Sequence, residues 1–249
     1  MVSNLNNLLP YLSRPINLII IFSIVYVFSL PPFGVSIFYY ISFSIIFYNI
    51  LTNDNFSKKY IFYFFLFTQI ITLSWITQSF YSGGFGYLFL GIILVGVLSI
   101  FIAFLHYSAT ILILVTFKKK LLQIFLLPLG LSIVEILKEF IFGGFPWNPS
   151  AIIYYKNIWI LKSLPFFGVY GLGLVVHLIV GLITYFLYKK NKVVTFSLSL
   201  VLVLIYAFGF FENNTERKTN NETLNILLIQ PNLYELSLIH ISEPTRPRS

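Results

Sequence analysis

Cysteine is absent from all 249 residues of this sequence. Its absence excludes disulfide bonds, a thiolate metal site and a cysteine nucleophile within these residues. Charge is also scarce, because Asp, Glu, Lys and Arg make up only 10% of the sequence, against about 25% in a typical soluble domain. Hydrophobic residues account for 58%, and the mean hydropathy is +0.88. These values are typical of a membrane protein.

The net charge of +8 would, in a soluble protein, suggest a nucleic-acid partner. Here the lysines stand in short clusters between apolar runs, where membrane topology and lipid headgroups explain them better. We therefore expect no nucleic-acid partner. No histidine stands at ligand spacing from the acidic residues, so we also expect no metal site and no cofactor.

Seven apolar runs predict an all-α polytopic membrane protein with about seven transmembrane helices. The first two runs are short for a bilayer about 30 Å thick and predict a hairpin of short or tilted spans. The fourth has about 31 residues and must tilt, extend beyond the bilayer or break. The aromatic, proline-interrupted segment 148–166 predicts an interfacial or re-entrant stretch. The seven runs cover about residues 16–30, 35–51, 60–80, 87–117, 121–142, 167–188 and 193–211.

The basic residues predict the orientation of these spans. With the amino terminus inside, the outer loops before residue 212 carry only Lys156 and Lys162. An odd number of spans then places everything after Phe211 on the outer face. The inner loops carry the other basic residues, namely Arg14, Lys58, Lys59, Lys118, Lys119, Lys120, Lys189, Lys190 and Lys192.

The composition changes sharply after residue 211. We predict a transmembrane helical domain over 1–211 and a polar linker over 212–223. The apolar run 224–229 is too short to span a bilayer, so residues 224–235 predict the first strand of an α/β domain. Residues 236–249 have neither helical nor strand periodicity and are expected to be a non-native tail. The chain is therefore expected to be truncated inside its second domain.

The candidate site begins with Glu135, Lys138 and Glu139 at the end of the fifth apolar run. Ionisable groups at membrane depth cost about 2.5–3.5 kcal/mol each, which makes them a functional hypothesis by default. Glu135 and Glu139 are spaced i, i+4 and are expected to share a helix face beside Lys138. A helix break at Gly143-Gly144 and the residues Phe145, Pro146 and Trp147 follow directly.

Two interpretations of this stretch stay open. It is either a salt-bridged helix end at the outer interface or a polar site at the membrane boundary that contacts a headgroup or supports a catalytic domain. The glycines of the sixth span, Gly168, Gly171 and Gly173, predict close helix packing. His106 and His177 lie inside spans and are expected to be buried and hydrogen-bonded to a neighbouring helix.

Taken together, these motifs resemble the N-terminal part of the bacterial apolipoprotein N-acyltransferases. The most specific element is Glu135-x-x-Lys138 followed by Gly144-Phe145-Pro146-Trp147. Weaker elements are the Pro-Phe turn at 32–33, Trp75, the segment FGVYG at 167–171 and Gln-Pro-Asn at 230–232. The resemblance covers about residues 10–235. The family usually has Arg in place of Lys138, and a glycine of the family is replaced near Ala151.

The resemblance implies transfer of an acyl chain from a phospholipid to the N-terminal amine of a diacylated apolipoprotein cysteine, at the outer face of the bacterial cytoplasmic (inner) membrane. It implies a nitrilase-like domain in which a Glu acts as general base, a Lys stabilises the oxyanion and a Cys carries the acyl group. All three would follow the start of that domain at Gln230 and Asn232. No catalytic residue is therefore assigned in this chain, and the fragment is expected to be inactive alone.

By the same resemblance, Glu135, Lys138, Phe145, Pro146 and Trp147 are expected to line a lipid-facing entry beneath the catalytic domain. Two alternatives from other classes stay open. One is a transporter or channel subunit with Glu135, Glu139 and His106 on a solute path, although the sequence shows no internal repeat of the kind transporters often have. The other is a non-catalytic membrane scaffold.

Overall fold

A computed structural model of the chain describes residues 14–81, 85–144, 146, 148–190, 200 and 204. This part of the chain is helical and contains no strand. Two short 3-10 helices, Ser74–Ile76 and Ser150–Tyr154, lie between the α-helices. The α-helices are α1 (Pro15–Val27), α2 (Ile37–Thr52), α3 (Lys58–Leu73), α4 (Thr77–Tyr81), α5 (Phe85–Thr116), α6 (Lys120–Ile141), α7 (Ile158–Leu161) and α8 (Leu164–Lys189).

Four helical stretches are long and apolar enough to cross a bilayer, namely Lys58–Tyr81, Phe85–Thr116, Lys120–Ile141 and Leu164–Lys189. Helices α1 and α2 are also apolar but have only 13 and 16 residues. At about 1.5 Å per residue they fall short of a bilayer about 30 Å thick. The multi-pass helical class is thus confirmed, whereas seven spans remain a prediction. The seventh predicted span, apart from helical Leu200 and Leu204, and the predicted strand at 224–229 lie outside the described residues.

Helix α5 shows that the longest apolar run forms one helix and does not break. It continues without a break over 32 residues, which corresponds to a length of about 48 Å. Since this exceeds the thickness of the hydrocarbon layer, α5 must tilt or extend beyond it. Helix α6, in contrast, ends at Ile141, and Gly143 and Gly144 follow with φ values of 66° and 94°. This left-handed backbone strongly favours glycine, so the predicted helix break is present.

Six of the described helices close into a ring. Its order is α1, α3, α5, α6, α8, α2 and back to α1, each helix packing against the next. Aromatic and aliphatic side chains fill the interior, with Phe47, Phe64 and Phe65 almost completely buried. Large apolar side chains such as Phe89 and Leu112 of α5 point outward and are more than half exposed. The ring brings side chains from six separate sequence segments to one interior.

The two ends of the ring differ in charge. The lysine clusters 58–59, 118–120 and 189–190 each adjoin the end of a helix. Because successive long helices run in opposite directions, these helix ends lie at the same end of the ring. At the opposite end, the α1–α2 loop contacts the segment between α6 and α8. There the Lys156 ammonium donates hydrogen bonds to the carbonyls of Pro32 (2.9 Å) and Phe33 (2.8 Å), and the Tyr155 hydroxyl donates to Pro32 (2.7 Å).

Candidate functional site

The candidate site is organised around two ionisable side chains of α6 that face the interior of the ring. Glu135 is 7% exposed and Lys138 is 3% exposed, whereas Glu139 is partly exposed. Glu135 and Lys138 are three residues apart, so they lie on one helix face. The structure therefore groups Glu135 with Lys138, and both contact protein instead of facing lipid.

The Glu135 carboxylate binds the start of the 3-10 helix Ser150–Tyr154. Its Oε1 accepts a hydrogen bond from the Ser150 backbone N–H at 2.8 Å, and its Oε2 accepts one from the Ser150 hydroxyl at 3.2 Å. The far end of this short helix is also held, because the Tyr154 hydroxyl is hydrogen-bonded to the Tyr40 hydroxyl of α2. The 3-10 helix Ser150–Tyr154 is thus hydrogen-bonded to the bundle at both of its ends.

Gly173 of α8 makes room for this contact. A Cβ atom at Gly173 would lie 2.8 Å from the Ser150 hydroxyl oxygen and 3.0 Å from Glu135 Oε2. Distances this short force an atom to move, so any larger residue would displace the carboxylate or the serine. The sequence predicts close packing at this glycine, and the structure shows that a buried hydrogen-bonded pair occupies the space.

His177 extends the network across three helices. Its Nε2 is 2.9 Å from the Tyr39 hydroxyl of α2, its Nδ1 is 2.7 Å from the Ser132 hydroxyl of α6, and its Nε2 is 3.8 Å from Glu135 Oε1. His177 is thus buried and bonded to neighbouring helices, as predicted. His106 is buried too, but its Nδ1 lies 2.9 Å from the Ile102 carbonyl of its own helix. The hydrogen bond found for His106 is therefore within α5, whereas the sequence predicted one to another helix.

A small polar cavity adjoins the network. It has about 20 Å³ of space for the centre of a water molecule, which is enough for roughly one water. The Nδ2 of Asn148 is buried near this cavity and has no hydrogen-bond partner among the described residues. The residues around it include Tyr26, Gln69, His106, Glu135 and Lys138.

The other predicted site residues fall into two groups. Gly144 and Pro146 are exposed at the end of the ring opposite the lysine clusters. Phe145, Trp147, Gln230 and Asn232 lie outside the described residues. Within the described chain, no three His, Asp or Glu side chains cluster closely enough to hold a metal ion.

Sequence reasoning missed three participants in the site, Tyr39, Ser132 and Ser150. A serine or a tyrosine in an apolar run carries no sign of its partner, and the Tyr39–His177 contact joins residues 138 positions apart. Chemically, the network contains a buried carboxylate, an ammonium and an imidazole without an exposed substrate-sized pocket. It is suited to holding Ser150 and the start of the 3-10 helix Ser150–Tyr154 in one conformation.

Comparison with known protein families supplies the identity of this bundle. The family described as the apolipoprotein N-acyltransferase N-terminal domain matches residues 22–182. That range contains α2 to α7, the last six residues of α1, most of α8, and the whole Glu135 network. A comparison with curated proteins finds no match. Because the family matches well over half of the 249 residues, the chain belongs to the family of the apolipoprotein N-acyltransferase N-terminal domain.

Proposed function

We propose that this chain provides the membrane part of an enzyme that moves an acyl chain from a membrane phospholipid to the N-terminal amine of a diacylated apolipoprotein cysteine. The family match over residues 22–182 carries this proposal. The bundle would lie in the bacterial cytoplasmic membrane with its lysine-rich end inside, in line with the positive-inside rule. Residues after 211 would then stand on the outer face, where the lipoprotein substrate is presented.

The segment 142–150 would shape the place where lipid meets the catalytic domain. Gly144 and Pro146 are exposed at the proposed outer end, and Phe145 and Trp147 complete the stretch. In this proposal Phe145, Pro146 and Trp147 line the lipid entry. Glu135 holds the end of the segment from within, because two hydrogen bonds fix Ser150 to its carboxylate, and Lys138 lies beside it on the same helix face.

The chemical step would use residues outside the described bundle. In the resembling enzymes a Cys thioester splits a difficult amide-forming step into two easier ones, with a Glu as base and a Lys at the oxyanion. These 249 residues contain no cysteine. Acyl transfer by these residues alone is therefore not expected, and Gln230 and Asn232 would mark the start of the domain that performs it.

A chimera tests the proposal. Residues 1–223 of this chain would replace the membrane part of a working apolipoprotein N-acyltransferase, and mass spectrometry would follow the third acyl chain on a diacylated lipopeptide. We expect the chimera to transfer acyl chains, the same chimera with its catalytic Cys changed to Ser to be inactive, and the 249-residue chain alone to be inactive. A folded but inactive chimera contradicts the membrane role. Transfer by the 249 residues alone contradicts the proposed need for a Cys domain.

Two variants of the chimera test the segment itself. We expect Trp147→Ala and Glu135→Gln each to lower the rate of acyl transfer, while Glu139→Gln serves as a control on the same helix. Normal activity in both test variants would mean that the stretch 135–147 serves only helix packing.

A further inference from the structure

The small polar cavity beside the Glu135 network lies where all six helices of the ring meet. It offers about 20 Å³ to the centre of a water molecule, and a polar cavity needs about 10–15 Å³ to hold one water. Each helix of the ring contributes at least one lining residue, and these include Tyr26, Tyr39, Gln69, His106, Glu135 and His177. The size and the polar lining together favour one small polar molecule.

Asn148 lines the same cavity from the segment between α6 and α8. Its φ value is 43°, in the left-handed region that asparagine adopts more readily than most residues with a side chain. Two positions further along, Ser150 is hydrogen-bonded to the Glu135 carboxylate through its backbone N–H and its hydroxyl. The Asn148 amide therefore has a restricted range of positions beside the cavity.

The side-chain nitrogen of Asn148 needs a hydrogen-bond acceptor. Its Nδ2 is buried and donates no hydrogen bond to any residue that the structure describes. A buried N–H group without a partner lowers stability, because it has given up its hydrogen bonds to bulk water. Buried waters typically make about three hydrogen bonds to polar groups of this kind. The cavity and the amide thus indicate the same ligand.

The other polar groups around the cavity favour a neutral molecule over an ion. Glu135 and Lys138 both line it, so an anion would lie near a carboxylate and a cation near an ammonium. A water molecule can instead accept one hydrogen bond and donate two. Each Glu135 oxygen accepts one hydrogen bond from Ser150 and has a second lone pair. The amide oxygen of Gln69 is a further acceptor at the cavity.

We propose that this cavity binds one water molecule as a fixed part of the structure. The water accepts a hydrogen bond from Asn148 Nδ2 and donates to the Glu135 carboxylate and to the amide oxygen of Gln69. It thereby connects the segment between α6 and α8 with α3 on another side of the cavity. The site goes beyond the proposed function, since it requires neither acyl transfer nor a catalytic domain.

Radiolytic labelling of the full chain in detergent micelles tests whether water occupies the cavity. A brief X-ray pulse produces hydroxyl radicals from bound water as well as from bulk water, and mass spectrometry locates the oxidised side chains. Phe65 lines the cavity and its neighbour Phe64 does not, although they are only 1% and 0% exposed. We expect severalfold more oxidation at Phe65, because only bound water can produce radicals beside so buried a ring.

The variant Asn148→Gly tests the role of the amide. Glycine suits a left-handed backbone but has no side-chain N–H, so the water loses its donor. We expect a lower melting temperature than that of the wild type, since a satisfied hydrogen bond is removed. The matched control is Lys190→Gly, at an exposed residue that also has a positive φ, 51°. It should not lower the melting temperature, because glycine adopts this conformation with less strain.

Two results would overturn the proposal. Equal oxidation of Phe64 and Phe65 would show that no water lies in the cavity. A melting temperature of Asn148→Gly at or above that of the wild type would show that the amide has no partner there, because removing an unsatisfied buried donor relieves its cost. Neither measurement involves acyl transfer, so either failure would leave the proposed function standing.

Discussion

Neutralising Glu135 is the most direct test of the buried network. In the variant Glu135→Gln the side chain keeps its length and one carbonyl oxygen, so it can still accept the hydrogen bond from the Ser150 N–H. It loses the negative charge three residues from Lys138, which is only 3% exposed. The buried Lys138 ammonium would then lose a carboxylate that lies on its own helix face.

The expected cost follows from the burial of both groups. Removing one partner of a buried ion pair costs about 3–5 kcal/mol, because the other charge stays in a medium of low polarity. The Gln side chain retains part of the hydrogen bonding to Ser150, so we expect the lower end of that range, about 3 kcal/mol in the free energy of unfolding. The double variant Glu135→Gln/Lys138→Met removes both charges and should recover most of the loss, because apolar replacement of a whole buried pair is often close to neutral.

Titration with dodecyl sulfate in mixed micelles, followed by tryptophan fluorescence, would measure these free energies. Glu139→Gln makes the same chemical change four residues along the same helix at a partly exposed position, and we expect it to cost less than about 1 kcal/mol. A loss below about 1 kcal/mol for Glu135→Gln would refute the coupling inferred from the structure. So would a double variant whose loss equals the sum of the losses of Glu135→Gln and Lys138→Met measured separately.

Two further predictions concern the helix ring and its orientation. Tyr39→Phe leaves a nitrogen of His177 without its hydroxyl partner, and it should lower the free energy of unfolding by about 1–3 kcal/mol. The control Tyr63→Phe, at a partly exposed position, should change it by less than about 0.5 kcal/mol. Equal losses for the two variants in the same titration would contradict the buried hydrogen bond. Because the chain has no native cysteine, single cysteines report topology cleanly. An impermeant maleimide would be added to cells from which any outer membrane has been removed. It should label Ile158→Cys before lysis and Lys119→Cys only after lysis. The reverse pattern would contradict the proposed orientation.

Much of the helical layout could be predicted from the sequence. Four predicted spans correspond to membrane-length helices, and the break after α6 lies at the two glycines that the sequence indicated. These features are local, since hydropathy over about 20 residues predicts a span and glycine accepts the left-handed backbone that ends a helix. The family could be recognised as well, because Glu135-x-x-Lys138 and Gly-Phe-Pro-Trp stand at a specific spacing in one short stretch.

The sequence by itself determined the class of protein, the apolar helices and the residues worth testing. Only the tertiary structure decided that Glu135 faces Ser150 and Gly173 inside the ring, and that Lys156 reaches the carbonyls of the α1–α2 loop more than 120 positions earlier. The physical reason is that helix periodicity places side chains on a face but does not say which other helix covers that face. The closure of six helices into a ring determines which helix covers each face. For this reason Glu135, which the sequence placed at the lipid boundary, is a buried hydrogen-bond acceptor.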